Sequence, residues 1–92
     1  MTKQVAVVGG GTMGTGIAYV SALSGHQVTV VEPSAERASA LERSLRGAAE
    51  GTVQRGKLDK SAADALLGRI RRVASVAEIA SQPDVAIETV SE

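Results

Sequence analysis

The sequence predicts an α/β chain in which parallel strands are joined by helical crossovers, and three observations predict it. A continuous β-branched run, Val5-Ala6-Val7-Val8, stops at a glycine cluster. Small residues then recur every four positions at Gly14, Ala18 and Ala22, and a second β-branched run, Val28-Thr29-Val30-Val31, completes the pattern within about 30 residues. Strand, glycine turn, helix and strand at that spacing make one βαβ unit. The fold class that follows is a doubly wound parallel sheet of the Rossmann type, of which these 92 residues supply the first half, with a helical hairpin after the second strand.

Each element has its own signal. After Gln4, the stretch Val5 to Val8 is uninterrupted by polar residues, as expected of a parallel strand covered on both faces. Gly14, Ala18 and Ala22 lie along one helical face that can approach a strand closely, and Gly25 is placed to end that helix in the left-handed conformation. The second strand terminates at Glu32-Pro33. Ala38, Leu41, Leu45, Ala48 and Ala49 then mark an amphipathic helix from Ser34 to about Glu50, with Glu42 and Arg46 paired on its surface and Gly51 and Gly56 at its loosening end. The next helix is expected to start at Ser61, which with Asp64 resembles a capping box, and to bury Ala62, Ala65, Leu66 and Ile70. These two helices form the hairpin. A short strand is expected at Ile70 to Val73, a capping box at Ser75 and Glu78 before a short helix ending near Ala80, and a last strand at Val85 to Val90. The expected strand order is 3-2-1-4. The chain stops as a strand finishes, so it is expected to be the N-terminal portion of a dinucleotide-binding domain, marginally stable alone because one sheet edge stays open.

Composition excludes several functions. Ten basic and ten acidic residues cancel, so no net field draws the chain to nucleic acid or an anionic membrane, and both partners are excluded. Arg69-Ile70-Arg71-Arg72 is the only basic cluster and has no interleaved aromatic, which fits a solvated face. No cysteine is present, excluding disulfides and thiolate chemistry and fitting a reducing, cytoplasmic setting. Val5 to Val8 is too short for a signal segment or a membrane span.

The chemistry lies in Gly9-Gly10-Gly11-Thr12-Met13-Gly14, which satisfies G-x-G-x-x-G. Gly9 permits the tight turn, Gly11 lets the backbone approach a pyrophosphate, and Gly14 lets the helix lie against the strand. Peptide N–H groups at the helix start carry roughly half a positive charge, so a phosphate needs no lysine there. Glu32 ends the second strand 18 residues after Gly14, where a carboxylate can accept hydrogen bonds from the adenine ribose and repel a 2′-phosphate. That combination favours NAD over NADP. Arg37 could swing toward a 2′-phosphate, while its place in the first turn of a helix fits a solvent-exposed side chain. Glu88 and Glu92 point to one side of an extended segment and imitate an acid–base pair; Glu88 reads better as a strand residue making hydrogen bonds in apolar surroundings, and Glu92 stands open between ligand and chain-end charge. His26 precedes the second strand, at the end opposite any cofactor crevice, and reads as a turn residue.

The turn Val8 to Ala18, with Gly25-His26 and Ile87-Glu88-Thr89-Val90-Ser91-Glu92, closely resembles the N-terminal domain of the L-3-hydroxyacyl-CoA dehydrogenases, including the 3-hydroxybutyryl-CoA dehydrogenases. The final run is similar to that family's I-E-A-V-x-E. By this resemblance Gly9, Gly11 and Gly14 hold the pyrophosphate of NAD with Thr12 and Met13 beside it, Glu32 binds the adenosine ribose where the family usually has Asp, and Glu92 lies near the nicotinamide ribose. The hairpin is similar to the element that touches coenzyme A, and Ser44 falls near a serine of that contact. The lysine of that contact has no clear counterpart. The resemblance also implies an acyl-CoA substrate, a homodimer at full length, and catalytic residues in segments beyond position 92, so none is assigned within the chain. A dehydrogenase of another hydroxy acid or of a carrier-protein thioester, and a nucleotide-binding module without catalysis, are the alternative readings.

Overall fold

A computed structural model describes residues 2–79 and 82–89. Strand β1 (Gln4–Val8) is followed by helix α1 (Thr12–Leu23), strand β2 (Gln27–Val31), helices α2 (Ala35–Gln54) and α3 (Lys60–Gly68), strand β3 (Ile70–Val73), a single 3₁₀ turn (Val76–Glu78) and strand β4 (Val85–Glu88). The sheet has four parallel strands in the order β3-β2-β1-β4, the order expected from the sequence. Val7 sits beside Val30 on one side and Ile87 on the other, so the apolar runs stack in register across the middle of the sheet.

Alternation along the strands decides which face is core. Val5 and Val7 of β1 and Val28 and Val30 of β2 meet Ala18 and Ala22 of α1, Leu41, Leu45 and Ala49 of α2, and Ala63 and Leu66 of α3 in one cluster. The three helices thus lie on one face, as right-handed crossovers running the same way require. The fully buried residues of α1 are all small, Gly14, Ala18 and Ala22, which lets this helix sit directly over β1 and β2. The opposite face carries Ala6, Thr29 and Arg71 side by side and a groove of about 340 Å³ bounded by Ile79 and Pro83.

Helix ends follow from local chemistry. Gly25, at φ +96°, closes α1 as a Schellman motif: its N–H donates to the Ala22 carbonyl at 3.0 Å and the His26 N–H to Ser21 at 3.1 Å. Gly56 closes α2 the same way, with Lys57 donating to Thr52. Helix α2 therefore runs past Glu50 and through Gly51, beyond the end expected from sequence, because Thr52 is buried and its hydroxyl meets that of Tyr19 at 2.7 Å. Tyr19, the sole aromatic, thus ties α1 to α2.

Other boundaries also shift. Helix α1 begins at Thr12, inside the glycine motif. Helix α3 begins at Lys60 under an Asp59 cap, whose carboxylate accepts from the Ala62 N–H at 2.8 Å; the Ser61–Asp64 capping reading is corrected, since Asp64 pairs with Lys60. That phase buries Ala63 and Leu66 and leaves Ala65 exposed, and on α2 it is Ala49 rather than Ala48 that faces the core. The capping box at Ser75 and Glu78 is present, but it caps only the 3₁₀ turn ending at Glu78. The expected end near Ala80 and the Val90 end of the last strand lie outside the described residues.

In the basic cluster Arg71 and Arg72 are exposed, as a solvated face requires, and Arg69 is half-buried. Arg69 donates to the Ala22 carbonyl at 2.9 Å, Arg71 to the Glu78 carbonyl at 3.3 Å and Arg72 to the Glu32 carbonyl at 2.8 Å, so each guanidinium also fastens the β3 segment to a neighbouring segment. Among the described residues no buried side-chain nitrogen or oxygen lacks a partner, and no helix is long and apolar enough to cross a membrane.

Leu66 is the largest fully buried side chain, whereas Val20 on α1 is mostly exposed. Leu66→Ala is expected to cost about 2–5 kcal/mol and Val20→Ala less than about 0.5 kcal/mol, read from urea denaturation.

Candidate functional site

The ends of β1, β2 and β4 meet the starts of α1 and α2 at one side of the sheet, and a cleft of about 650 Å³ opens there. Its lining includes Gly9 to Thr15, Glu32, Arg37, Leu41, Ser44 and Thr89. It lies where the chain order in the sheet reverses, between β1 and β4, the place at which open parallel sheets take their ligands.

The glycines are needed by geometry. Gly9 has φ +108°, and a side chain on it would overlap the Thr89 hydroxyl. A Cβ on Gly14 would overlap the Gly9 carbonyl oxygen, so the first turn of α1 rests directly on the end of β1. Gly11 differs: a Cβ there meets nothing within 4 Å, and the residue is exposed. The fold has no use for its missing side chain, whereas a ligand approaching the backbone does. Gly11 is also the N-cap of α1, without a side-chain cap, so Thr12 and Met13 open the helix with amides that have no intrahelical partner.

Glu32 sits between the two helix starts. It is 3% exposed, and it pairs with no arginine or lysine side chain. Its carboxylate accepts from the Gly10 N–H through Oε1 at 2.9 Å and from the Ser34 N–H through Oε2 at 2.9 Å. Ser34 in turn caps α2, accepting from the Arg37 N–H at 3.2 Å. The Glu32 backbone is held as well, its N–H by the Val73 carbonyl and its carbonyl by Arg72. Each carboxylate oxygen spends one hydrogen bond on the fold and keeps acceptor capacity for another. A Cβ on Gly10 would come within 3.0 Å of Oε1, so glycine at this variable position of the motif answers to the length of the glutamate.

Gly9, Gly11, Thr12, Met13, Gly14, Glu32 and Ser44, singled out in the sequence, are thus brought to one cleft. Met13 is 69% exposed beside the glycine turn. Glu92 lies outside the described residues. Glu88 lies on β4 opposite Val8, but it is exposed and its side chain makes no hydrogen bond among the described residues, which corrects the expectation that it is bonded in apolar surroundings. His26 accepts from the Lys3 N–H at 3.1 Å, at the start of β2, away from the cleft. Arg37, weighed in the sequence between a 2′-phosphate and solvent, is exposed and forms a wall of the cleft, and Thr89 joins the lining beside the turn without having been singled out. Thr89 was visible only as a departure from the alanine of the motif it resembles.

A glycine turn with no space for side chains at Gly9 and Gly14, unpaired amides at a helix start and a strand-end carboxylate beside them define a dinucleotide-binding α/β domain. Among the described residues no group of histidine, aspartate and glutamate side chains is arranged to hold a metal. Residues 4–92 match the family described as 3-hydroxyacyl-CoA dehydrogenase, NAD binding domain, and the chain belongs to that family. It is 39% identical over 90 residues to the 3-hydroxyadipyl-CoA dehydrogenase of Escherichia coli, covering 98% of this chain and 19% of that protein. It is 36% identical to a 3-hydroxybutyryl-CoA dehydrogenase of Mycobacterium tuberculosis, covering 98% of this chain and 31% of the relative. The crystal structure of an E. coli 3-hydroxybutyryl-CoA dehydrogenase superposes with a TM-score of 0.88 at 38% identity, over 98% of this chain and 19% of that one. The chain spans between a fifth and a third of the length of these relatives.

Gly11→Ala separates ligand from fold. Its stability is expected to change by no more than about 1 kcal/mol, while NAD⁺ affinity falls at least tenfold, by about 1.4 kcal/mol. Thermal melting and calorimetric titration of the same variant check the two halves.

Proposed function

We propose that this chain is the cofactor-binding part of a dehydrogenase that oxidises L-3-hydroxyacyl-CoA thioesters to 3-ketoacyl-CoA with NAD⁺. The observation that carries the proposal is the cradle at the start of α1, where side chains are excluded at Gly9 and Gly14 and amides are left facing a cleft. NAD, when bound, supplies the hydride acceptor. In this reading the amides of Gly11 to Gly14 hold the pyrophosphate, with Thr12 and Met13 beside it, and Glu32 accepts from the adenosine ribose with the capacity its two backbone bonds leave free. Glu92 serves the nicotinamide ribose.

Substrate class rests on the family and on the names of the relatives, which act on 3-hydroxyadipyl-CoA and 3-hydroxybutyryl-CoA. Ser44, three turns along α2 at the wall of the same cleft, is the proposed coenzyme A contact within the hairpin. The acid–base residues that move the hydroxyl proton belong to the part of the parent protein that this chain does not span. A homodimer of the full-length protein and a cytoplasmic location complete the proposal, the latter supported by the absence of cysteine.

Two measurements test it. Calorimetric titration of this chain is expected to show NAD⁺ binding more tightly than NADP⁺, with the preference shrinking at least fivefold in Glu32→Gln, which removes the charge that opposes a 2′-phosphate. In the parent protein, NADH formation is expected with 3-hydroxybutyryl-CoA and not with free 3-hydroxybutyrate. Equal turnover of the free acid, or turnover only of a carrier-protein thioester, would contradict the substrate assignment.

A further inference from the structure

The peptide between Gly9 and Gly10 is gripped at both ends. Its N–H donates to Glu32 Oε1 at 2.9 Å, in a buried bond. Its carbonyl oxygen lies 3.3 Å from the Thr89 hydroxyl, whose single proton is shared between this oxygen and the Val8 carbonyl at 3.0 Å. The Thr89 backbone N–H holds the same Val8 oxygen at 2.9 Å. Thr89 is the residue after β4, so this hydroxyl joins the end of one strand to the turn after another, 80 positions away along the chain.

The arrangement fixes more than the strand ends. A peptide is planar, so orienting the Gly9 carbonyl also orients the Gly10 N–H, and with it the carboxylate that this N–H holds. Gly9 has no side chain to resist rotation of that plane, and at φ +108° it lies where glycine moves freely. An anchor on the carbonyl side is therefore worth more here than in a stiffer backbone. Further along, the Gly9 oxygen is the atom on which Gly14 rests, so its position also sets the height of the first turn of α1.

We infer that Thr89 is a positioning residue for the dinucleotide site: its hydroxyl and the Glu32 carboxylate clamp the Gly9–Gly10 peptide from opposite ends, fixing the phosphate-facing turn relative to the ribose-facing acid. The inference rests on the NAD reading given above and adds to it a residue on the β4 side of the cleft.

Amide hydrogen exchange and NAD⁺ titration of this chain test the clamp, using Thr89→Ala and the conservative Thr89→Ser. In the absence of cofactor the Gly10 amide is expected to exchange about three- to tenfold faster in Thr89→Ala, the range one hydrogen bond sets, while the amides of Val7 and Val30 keep their rates. NAD⁺ affinity is expected to fall by a similar factor, and Thr89→Ser to restore both. Unchanged Gly10 exchange in Thr89→Ala, an equal acceleration at Val7 and Val30, or failure of serine to rescue would overturn the inference. A wild-type chain that takes up no NAD⁺ overturns the reading beneath it; wild-type binding with undiminished affinity in Thr89→Ala overturns the clamp alone.

Discussion

One buried carboxylate organises this end of the molecule. Glu32 has no cationic side chain as partner, and the charge is stabilised by two backbone N–H groups and by the positive ends of α1 and α2, which start within a few residues of those donors. Hydrogen bonds to a charged group contribute about 1.5–3 kcal/mol each, against a larger cost when a buried charge loses its donors. The glycine turn, the α2 cap and the end of β2 therefore cannot move independently. Arg72 and Val73 add β3 to the same knot through the Glu32 backbone. A site assembled from four separate segments behaves as one rigid piece.

That rigidity has a consequence for binding. The Gly10 amide is committed to Glu32 and the Gly9 amide to the Val31 carbonyl, so the turn offers an anion the amides that follow, at the start of α1. These are the ones where the helix dipole acts most strongly, and they need no lysine or arginine to attract a diphosphate. The zero net charge of the chain is compatible with anion binding for this reason. Fixed donors also spare the ligand the cost of ordering the loop that receives it.

Much of this was legible in the sequence. The strand order, the placing of α1 by Gly14, Ala18 and Ala22, and the Schellman end at Gly25 follow from spacing and from the steric demands of single residues. Helix boundaries were harder. Gly51 reads as a helix end in isolation, yet tertiary contacts of Thr52 and Val53 carry α2 four residues beyond Glu50. At Asp59 and Ser61 two residues compete to cap, and the side chain that reaches the Ala62 N–H wins. The site residues were legible where a motif names them, but the doubled use of Glu32 was not. A carboxylate at a strand end looks the same in sequence whether it faces solvent or the turn behind it, and the glycine at position 10 was the one local sign that its side chain lies close by. The arginines of the β3 segment were legible as a largely exposed set but not in their bonds, because charge in a sequence does not show that a backbone carbonyl waits within reach.

The central claim is that the amides opening α1 receive the diphosphate of the dinucleotide. The most direct measurement is the two-dimensional amide spectrum of the isotopically labelled chain during titration with NAD⁺. The account predicts that the largest shifts fall on Gly11, Thr12, Met13 and Gly14, with saturation at a single affinity and little change at Val28 and Ile70 on the far side of the sheet. Shifts concentrated elsewhere, with these four amides unmoved at saturating cofactor, would contradict it.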